Sequence, residues 1–458
     1  MQKIRLIPLA LALSMAAPSI AAPAGPAALR DAELKDKVAW DFVEDITTEV
    51  GPRPAGTPLE ARGRDWAVKR LKALGFANVR IEPYQMPTWV RGIETAQVIA
   101  PFPQPLVITA LGNSGSTGHA GLEAEVVNFP SLDALKAAPE GSLKGKIAFV
   151  NHAMKATQDG SSYGYFGGVR REGPSIAAKK GAAAILIRSI GTDSHRTPHT
   201  GVQNWAAGVT PIPAAALSVP DAENLHRMLE KASAKGGKAV RVSMVLTPRF
   251  IGEQTSGNVI AEVPGTDSDA GIIVAACHLD SWDLGTGAID DAAGCAIVTA
   301  AAKQIMSSGR PRRTIRLLLA GAEEVGAFGG KAYFAAHRND PHVLALESDF
   351  GADRVWRVDF KLPDGHAALA DRITAGLAPL GVGPSKQAAQ GGADIQPLVD
   401  SGVAVIDLQQ DGTRYFDLHH TADDTLDKID PEQLAQNVAA WTTTLSIAAN
   451  ARESLRGK

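Results

Sequence analysis

From residue 251 onward the chain alternates short apolar runs with longer segments of helical periodicity, and this alternation constrains the fold more than any other feature. "GIIVAACHLD", "TIRLLLAG", "HVLALESDF" and "VAVIDLQ" are nearly continuous apolar runs. Between them lie "DAAGCAIVTAAAKQIM", "FGGKAYFAAH" and "HAALADRITAGLAPLG", and "PEQLAQNVAAWTTTLSIAANA" follows the last. A strand that is apolar on both sides must be covered on both faces, and parallel neighbours need crossover segments long enough for a helix. The pattern predicts an α/β chain built on a mostly parallel twisted sheet with helices on both faces. No fixed-period repeat interrupts it.

Upstream, Val38, Phe42, Val43 and Ile46 recur at helical spacing, and "ARGRDWAVKRLKALG" ends on Gly75 as a helix stop should. The turn-forming "GPRPAGT" separates these two helices, and the strand-like runs "NVRIEPYQM" and "TAQVIA" follow. "PFPQPLVITALGNSGSTG", rich in Pro, Gly and Ser, reads as a boundary. Beyond it the texture changes to short strands and short helices, forming an insert of about 125 residues, a normal domain size. The expected division is a first part over 30–118, an insert over 119–250 and a second part over 251–458.

The opening "MQKIRLIPLALALSMAAPSIAAPAG" carries Lys3 and Arg5, then an apolar stretch to Ala17, then small residues. An apolar run of roughly a dozen residues is too short to span a bilayer, which needs about 20, so residues 1–21 are expected to be a cleaved signal peptide. The mature product is expected to be exported, periplasmic or secreted, with no stable membrane anchor. A net charge of -3 and the absence of any long run of like charges argue against nucleic acid as a partner. A homodimer is compatible with the sequence. In an oxidising compartment the cysteines Cys277 and Cys295 invite a question. One ends a strand and the other enters the next helix, so they could approach each other; two buried, inert thiols are the favoured reading, with pairing left open.

Ligands of a parallel sheet bind beyond the carboxyl ends of its strands. Here four strands end in residues able to hold a metal: His278 and Asp280, Glu323 and Glu324, Glu347 and Asp349, and the "DLHHTADDT" segment with His419 and His420. One such ending would mean little, because solvated acids at strand ends are common. Convergence of carboxylates and imidazoles from four strands makes a shared metal site the better reading, and an oxygen and nitrogen donor set without thiolate suits zinc. The edge offers more than the three ligands one catalytic zinc needs. Two ions about 3.5–4 Å apart require a carboxylate that binds one with each oxygen, and Asp290, approached through the glycines of "GTGAID", fits that role. Of the adjacent Glu323 and Glu324, one can coordinate while the other takes a proton from water; composition does not say which.

The chain resembles the co-catalytic di-zinc aminopeptidase and glutamate carboxypeptidase family. The resemblance rests on "GPRPAGT", "TWVRGIE", "PHTG", "HLDSWDLGTGAIDD", "RPRRTIRLLLAGAEE", "ESDFGA", "GADI" and "HHTADDT", in family order over roughly residues 38 to 450. It implies that the insert is a protease-associated domain, that His278, Asp290 and Asp349 hold one Zn2+, and that Asp290, Glu324 and His420 hold the other. It further implies that Glu323 is the general base and that Asp280 orients His278 by accepting from its second ring nitrogen. One branch of the family has a tyrosine before the second histidine; here that residue is His419, so His419 and Tyr415 are candidates to stabilise an oxyanion. Asp394 in "GADI" stands where the family has an acid near the metal pocket. Asp283 and Asp291 match no ligand position and read as loop hydrogen-bonding residues. His199 in "PHTG" is weighed between substrate contact and packing, and Trp89 and Trp282 between cleft wall and core.

The implied activity is zinc-dependent exopeptidase hydrolysis of dipeptides or short peptides. A non-catalytic binding homologue on the same fold would have lost ligands, and a single-zinc glutaminyl cyclase would hold one ion. A helix-loop-helix calcium site is disfavoured, because "DSWDLGTGAIDD" lacks that motif's alternating acids and terminal Glu. No basic cluster near the expected site marks an acidic substrate.

Overall fold

A computed structural model describes residues 25–234 and 236–455, so the expected signal segment 1–21 lies outside the described residues. Two eight-stranded sheets organise them. The main sheet is formed by β1 (Ala77–Val90), β2 (Arg249–Val263), β3 (Ile272–His278), β4 (Thr314–Ala320), β5 (His342–Glu347), β6 (Val355–Lys361), β7 (Gly383–Pro384) and β8 (Ala404–Gln410). Their order across the sheet is β1-β2-β4-β3-β5-β8-β6-β7. The strands β4, β3, β5 and β8 run parallel at its centre.

The sheet is mixed rather than mostly parallel. The pairs β1/β2, β2/β4 and β6/β8 are antiparallel. The reason lies in the connections: only the short stretch 348–354 separates β5 from β6, too little for the crossover that would bring the chain back parallel to β5. At the other edge β1 and β2 form one long hairpin, with Val90 opposite Arg249. The second sheet sits at the tip of that hairpin. Its strands run from Glu94–Ala100 to Arg241–Leu246, which pair with each other, so this unit begins at Glu94, upstream of the composition change near 119.

Helices cover the main sheet, and the helix Ala293–Ser308 explains its own position. Eleven of its residues, from Ala293 to Ile305, are buried, and their small side chains let it lie close against its neighbours. The terminal helix Pro431–Asn450, capped by Asp430 on the amides of Glu432 and Gln433, packs beside it with Trp441 buried. No described helix is long and apolar enough to cross a membrane.

Two features fix the loop that carries His278 and Asp290. Cys277 and Cys295 are joined in a disulfide, which corrects the reading of two separate thiols: the strand end and the first turn of the following helix face each other. Arg53, from "GPRPAGT", is fully buried and staples the loop from below. Its Nε donates to the Leu279 carbonyl at 2.7 Å, and its Nη atoms donate to Gly51 and Thr286 at 2.7 Å and to Gly287 at 2.8 Å. Its backbone exchanges two further bonds with Ser281. A side chain at Gly287, where φ is +60°, would put Cβ 2.7 Å from an Arg53 nitrogen, so the loop must pass there as glycine.

Thiol titration of the denatured, unreduced protein should find no free thiol in Cys277 or Cys295. Cys295→Ala should lower the unfolding free energy by roughly 3 kcal/mol in urea melts, the scale expected for a loop of this length. Arg53→Met should cost roughly 3 kcal/mol or more, because several carbonyls lose their donor in a dry interior. A melt indistinguishable from wild type would mean that those carbonyls find other donors.

Candidate metal centre

The parallel strands deliver their last residues to one edge. His278 is the final residue of β3, Glu323 and Glu324 follow β4, Asp349 follows β5, and His419 and His420 follow the short helix Tyr415–Leu418 beyond β8. Asp290 arrives from the loop, in a wide turn over Ala288–Ala292 where Asp290 and Asp291 leave helical φ/ψ. The Asp290–Asp291 peptide is cis. Ala322, at φ +57°, turns the chain so that Glu323 and Glu324 face back over the sheet end.

Asp290 stands at the centre. Its Oδ1 is 3.1 Å from His278 Nε2, which is also 3.3 Å from Asp349 Oδ1. Its Oδ2 is 3.3 Å from His420 Nε2, which lies 2.9 Å from Glu324 Oε2. The two oxygens of one buried carboxylate therefore face two separate sets of nitrogen and oxygen donors. His419 stacks on His420 with ring centroids 3.5 Å apart, and its Nε2 is 3.5 Å from the same Asp290 oxygen. Among the described residues, the Glu324 carboxylate pairs only with His420.

The electrostatics suit a divalent cation. Burial, reinforced by neighbouring carboxylates, raises Glu323 and Glu324 well above the usual range, and it raises Asp349 as well. Burial lowers His278, but Asp349 with Asp280 and Asp290 more than offsets it: the carboxylates around the ring favour positive charge there, which a metal ion would supply in place of the ring's second proton. His419 and His420 are driven well below their ordinary value by burial first, which favours neutral rings, the form in which His420 would bind a metal. Asp290 Oδ2 and Glu324 Oε1 are buried without a hydrogen-bond partner among the described residues. Unpartnered buried acceptors among crowded carboxylates are costly, and cations between the two donor sets would satisfy them. The donor set therefore fits the zinc ions expected there.

The remaining expected residues are placed as follows. Asp280 does not accept from His278 through its carboxylate, which lies 3.7 Å from Nδ1; the Asp280 backbone carbonyl takes that contact at 3.0 Å. The carboxylate instead accepts from the amides of Glu323 at 3.0 Å and Glu324 at 3.3 Å, bracing the acidic pair. Asp291 accepts from the His278 and Gly294 amides, both at 3.0 Å, and Asp283 pairs with Arg91, so both are loop-holding residues. Asp394 lies behind the site, accepting from Gly330 and donating its amide to Glu347. His199 is buried off the cavity wall, its ring between Asp193 and the His419 carbonyl. Tyr415 lines the cavity beside His419. Trp89 and Trp282 line a smaller cavity on the far side of Glu324.

A cavity of about 390 Å3 opens over the centre. Its outer wall, contributed by the second unit, carries Tyr163, Arg170 and Arg171. Neither arginine forms an ion pair among the described residues; Arg170 donates to the Tyr163 hydroxyl at 2.6 Å. This corrects the expectation of no basic cluster near the site. The "RR" of "GGVRREG" was visible in the sequence, but only the packing of the two units turns it toward the metal centre. Glu323 borders the same cavity, and its carboxylate has no hydrogen-bond or ion-pair partner among the described residues.

Residues 258–445 match Peptidase family M28. Carboxypeptidase Q from Bos taurus is 34% identical over 414 residues, covering 90% of this chain and 85% of that protein. The crystal structure of a Peptidase M28 precursor from Shewanella amazonensis SB2B is 46% identical, with a TM-score of 0.91 over 94% of this chain and 97% of that one. BSAP, a zinc aminopeptidase from Bacillus subtilis, shares the fold at 19% identity, with a TM-score of 0.63 over 92% of this chain and 98% of its own. With sequence and architecture in agreement along nearly the whole length, this chain belongs to peptidase family M28.

Proposed function

We propose that the chain is an exported di-zinc exopeptidase that hydrolyses dipeptides or short peptides. The observation that carries this reading is the Asp290 carboxylate, whose Oδ1 is 3.1 Å from His278 and whose Oδ2 is 3.3 Å from His420. In this reading His278, Asp290 and Asp349 hold one zinc, and Asp290, Glu324 and His420 hold the other. The second sheet is the protease-associated domain that the sequence resemblance implies. No ligand position has been lost, which disfavours a non-catalytic homologue.

When bound, the two ions supply Lewis acidity to the scissile carbonyl and to the attacking water. Glu323 is the general base: it borders the cavity, burial raises its pKa well above the carboxylate range, and its carboxylate is otherwise unengaged. Asp280 holds its backbone, so the carboxylate is presented at one position. Glu323 takes the proton of the water and returns it to the departing amine. The Tyr415 hydroxyl and the His419 ring flank the cavity where charge develops on the carbonyl oxygen. Arg170 and Arg171, without ion-pair partners, favour substrates that end in a free carboxylate.

Glu323→Gln should retain both zinc ions while kcat falls by about 10²–10⁴-fold, read by metal analysis and a peptidase assay. A wild-type rate in this variant would overturn the assignment of the base. Asp290→Ala should empty both metal positions and Asp283→Ala should leave both filled, as measured by zinc content after gel filtration. A dipeptide library read by mass spectrometry should show turnover of free dipeptides and strong loss on C-terminal amidation. Equal turnover of amidated peptides would remove the arginines from substrate recognition.

A further inference from the structure

The "PHTG" segment, far from the metal centre in sequence, is in contact with it in the fold. Thr200 donates its amide to the His420 carbonyl at 3.0 Å, and its own carbonyl lies 3.3 Å from His420 Nδ1. An Arg170 guanidinium nitrogen lies 3.2 Å from the same Nδ1, so two groups of the second unit meet the far side of the ring while Nε2 faces Asp290 and Glu324. Next to it, the His199 ring spans from the Asp193 carboxylate at 2.6 Å to the His419 carbonyl at 2.7 Å. Gly201, at φ +126°, leaves room for this contact: a Cβ there would lie 2.7 Å from His420 Nδ1 and 2.0 Å from an Arg170 nitrogen. Thr200 is itself held, its hydroxyl donating to the Ala110 carbonyl at 2.8 Å and accepting from Arg91 at 3.1 Å. Every one of these residues belongs to the second unit or to the linker that leads into it.

The other donor set is supported differently. The Nδ1 of His278 is met by the carbonyl of Asp280, two residues along the same loop, and its amide by Asp291. Nothing from the second unit contacts that ring among the described residues. The two metal positions thus draw their outer support from different parts of the molecule.

We propose that the His199–Thr200–Gly201 turn is a positioning device through which the second unit sets the orientation of His420, and with it the affinity of one metal position only. The proposal rests on the two-ion reading above. A ring whose far edge is unsupported can rotate, and loss of such outer support typically weakens a metal by about 10–100-fold. The consequence is a selective loss: the position shared by Glu324 and His420 weakens, while the position of His278 and Asp349 does not.

The test is zinc titration of the metal-free full chain against a competing chelator, with zinc content measured after gel filtration, for wild type, His199→Gln and Gly201→Ala. Wild type should hold two ions. Each variant should hold one with unchanged affinity and bind the second about 10–100-fold more weakly. Circular dichroism and a thermal melt accompany each variant; if Gly201→Ala does not fold, His199→Gln together with Asp193→Asn decides the question. Variants that retain both ions at wild-type affinity, or weaken both in parallel, overturn the proposal and leave the two-ion reading standing. Wild-type protein that holds fewer than two ions overturns the two-ion reading, and this inference with it.

Discussion

Crowding of buried carboxylates is the constraint on which the rest of the structure depends. Asp280, Asp290, Asp291, Glu324 and Asp394 are all buried near one edge of one sheet, and burial, reinforced by neighbouring carboxylates, raises Asp291, Glu324 and Asp394 well above the usual range. The protein meets the cost of ionising them with oriented donors. Asp291 and Asp280 accept backbone amides, Asp424 accepts the Ile289 amide, and the charge of Arg53 lies behind the loop without touching a carboxylate. Among the described residues three oxygens of the cluster remain unanswered: Asp394 Oδ2, and on the residues that line the cavity Asp290 Oδ2 and Glu324 Oε1. The acids with structural duties are thereby separated from those available for chemistry.

The convergence of His278, Glu323, Glu324, Asp349 and His420 was legible in the sequence because it follows from topology: parallel strands end on the same side, His278 closes its strand, Glu323, Glu324 and Asp349 follow theirs within a few residues, and His420 comes from the segment beyond β8. Asp290 was legible because its approach is glycine-rich and a helix follows. The finer division of labour was not legible. Whether Nδ1 of His278 meets the carboxylate or the carbonyl of Asp280 depends on sub-ångström loop geometry, and the pairing of Cys277 with Cys295 depends on how strand and helix abut. The direction of β6 was hidden for a different reason, since a strand reads alike in either orientation and only the length of the connection before it decides.

The arginines on the cavity wall mark a further limit. Arg170 and Arg171 lie in a helix that is unremarkable by itself, and no local pattern says that it faces a sheet edge built from residues more than a hundred positions away. Such residues become visible only when two units are docked. Composition likewise placed the start of the second unit by texture, whereas pairing of Glu94–Ala100 with Arg241–Leu246 draws the linker into the second sheet.

The hairpin of β1 and β2 bears on how this architecture can vary. Because the chain leaves the main sheet at Val90 and returns opposite it at Arg249, everything between hangs from adjacent points on one edge. Such an attachment lets an appended unit lengthen, shrink or be exchanged without disturbing the register of the strands beneath it. Here the freedom is restricted by a second anchorage, the turn at residues 199–201, which reaches across to the histidine segment. Gln158 and Thr192 of the same unit also reach across, to Asp411 and Asp417, so an exchange of the appended unit would succeed or fail on whether the newcomer reproduces these contacts, and drift elsewhere in the unit could reshape the mouth of the cavity while the chemistry beneath stayed the same.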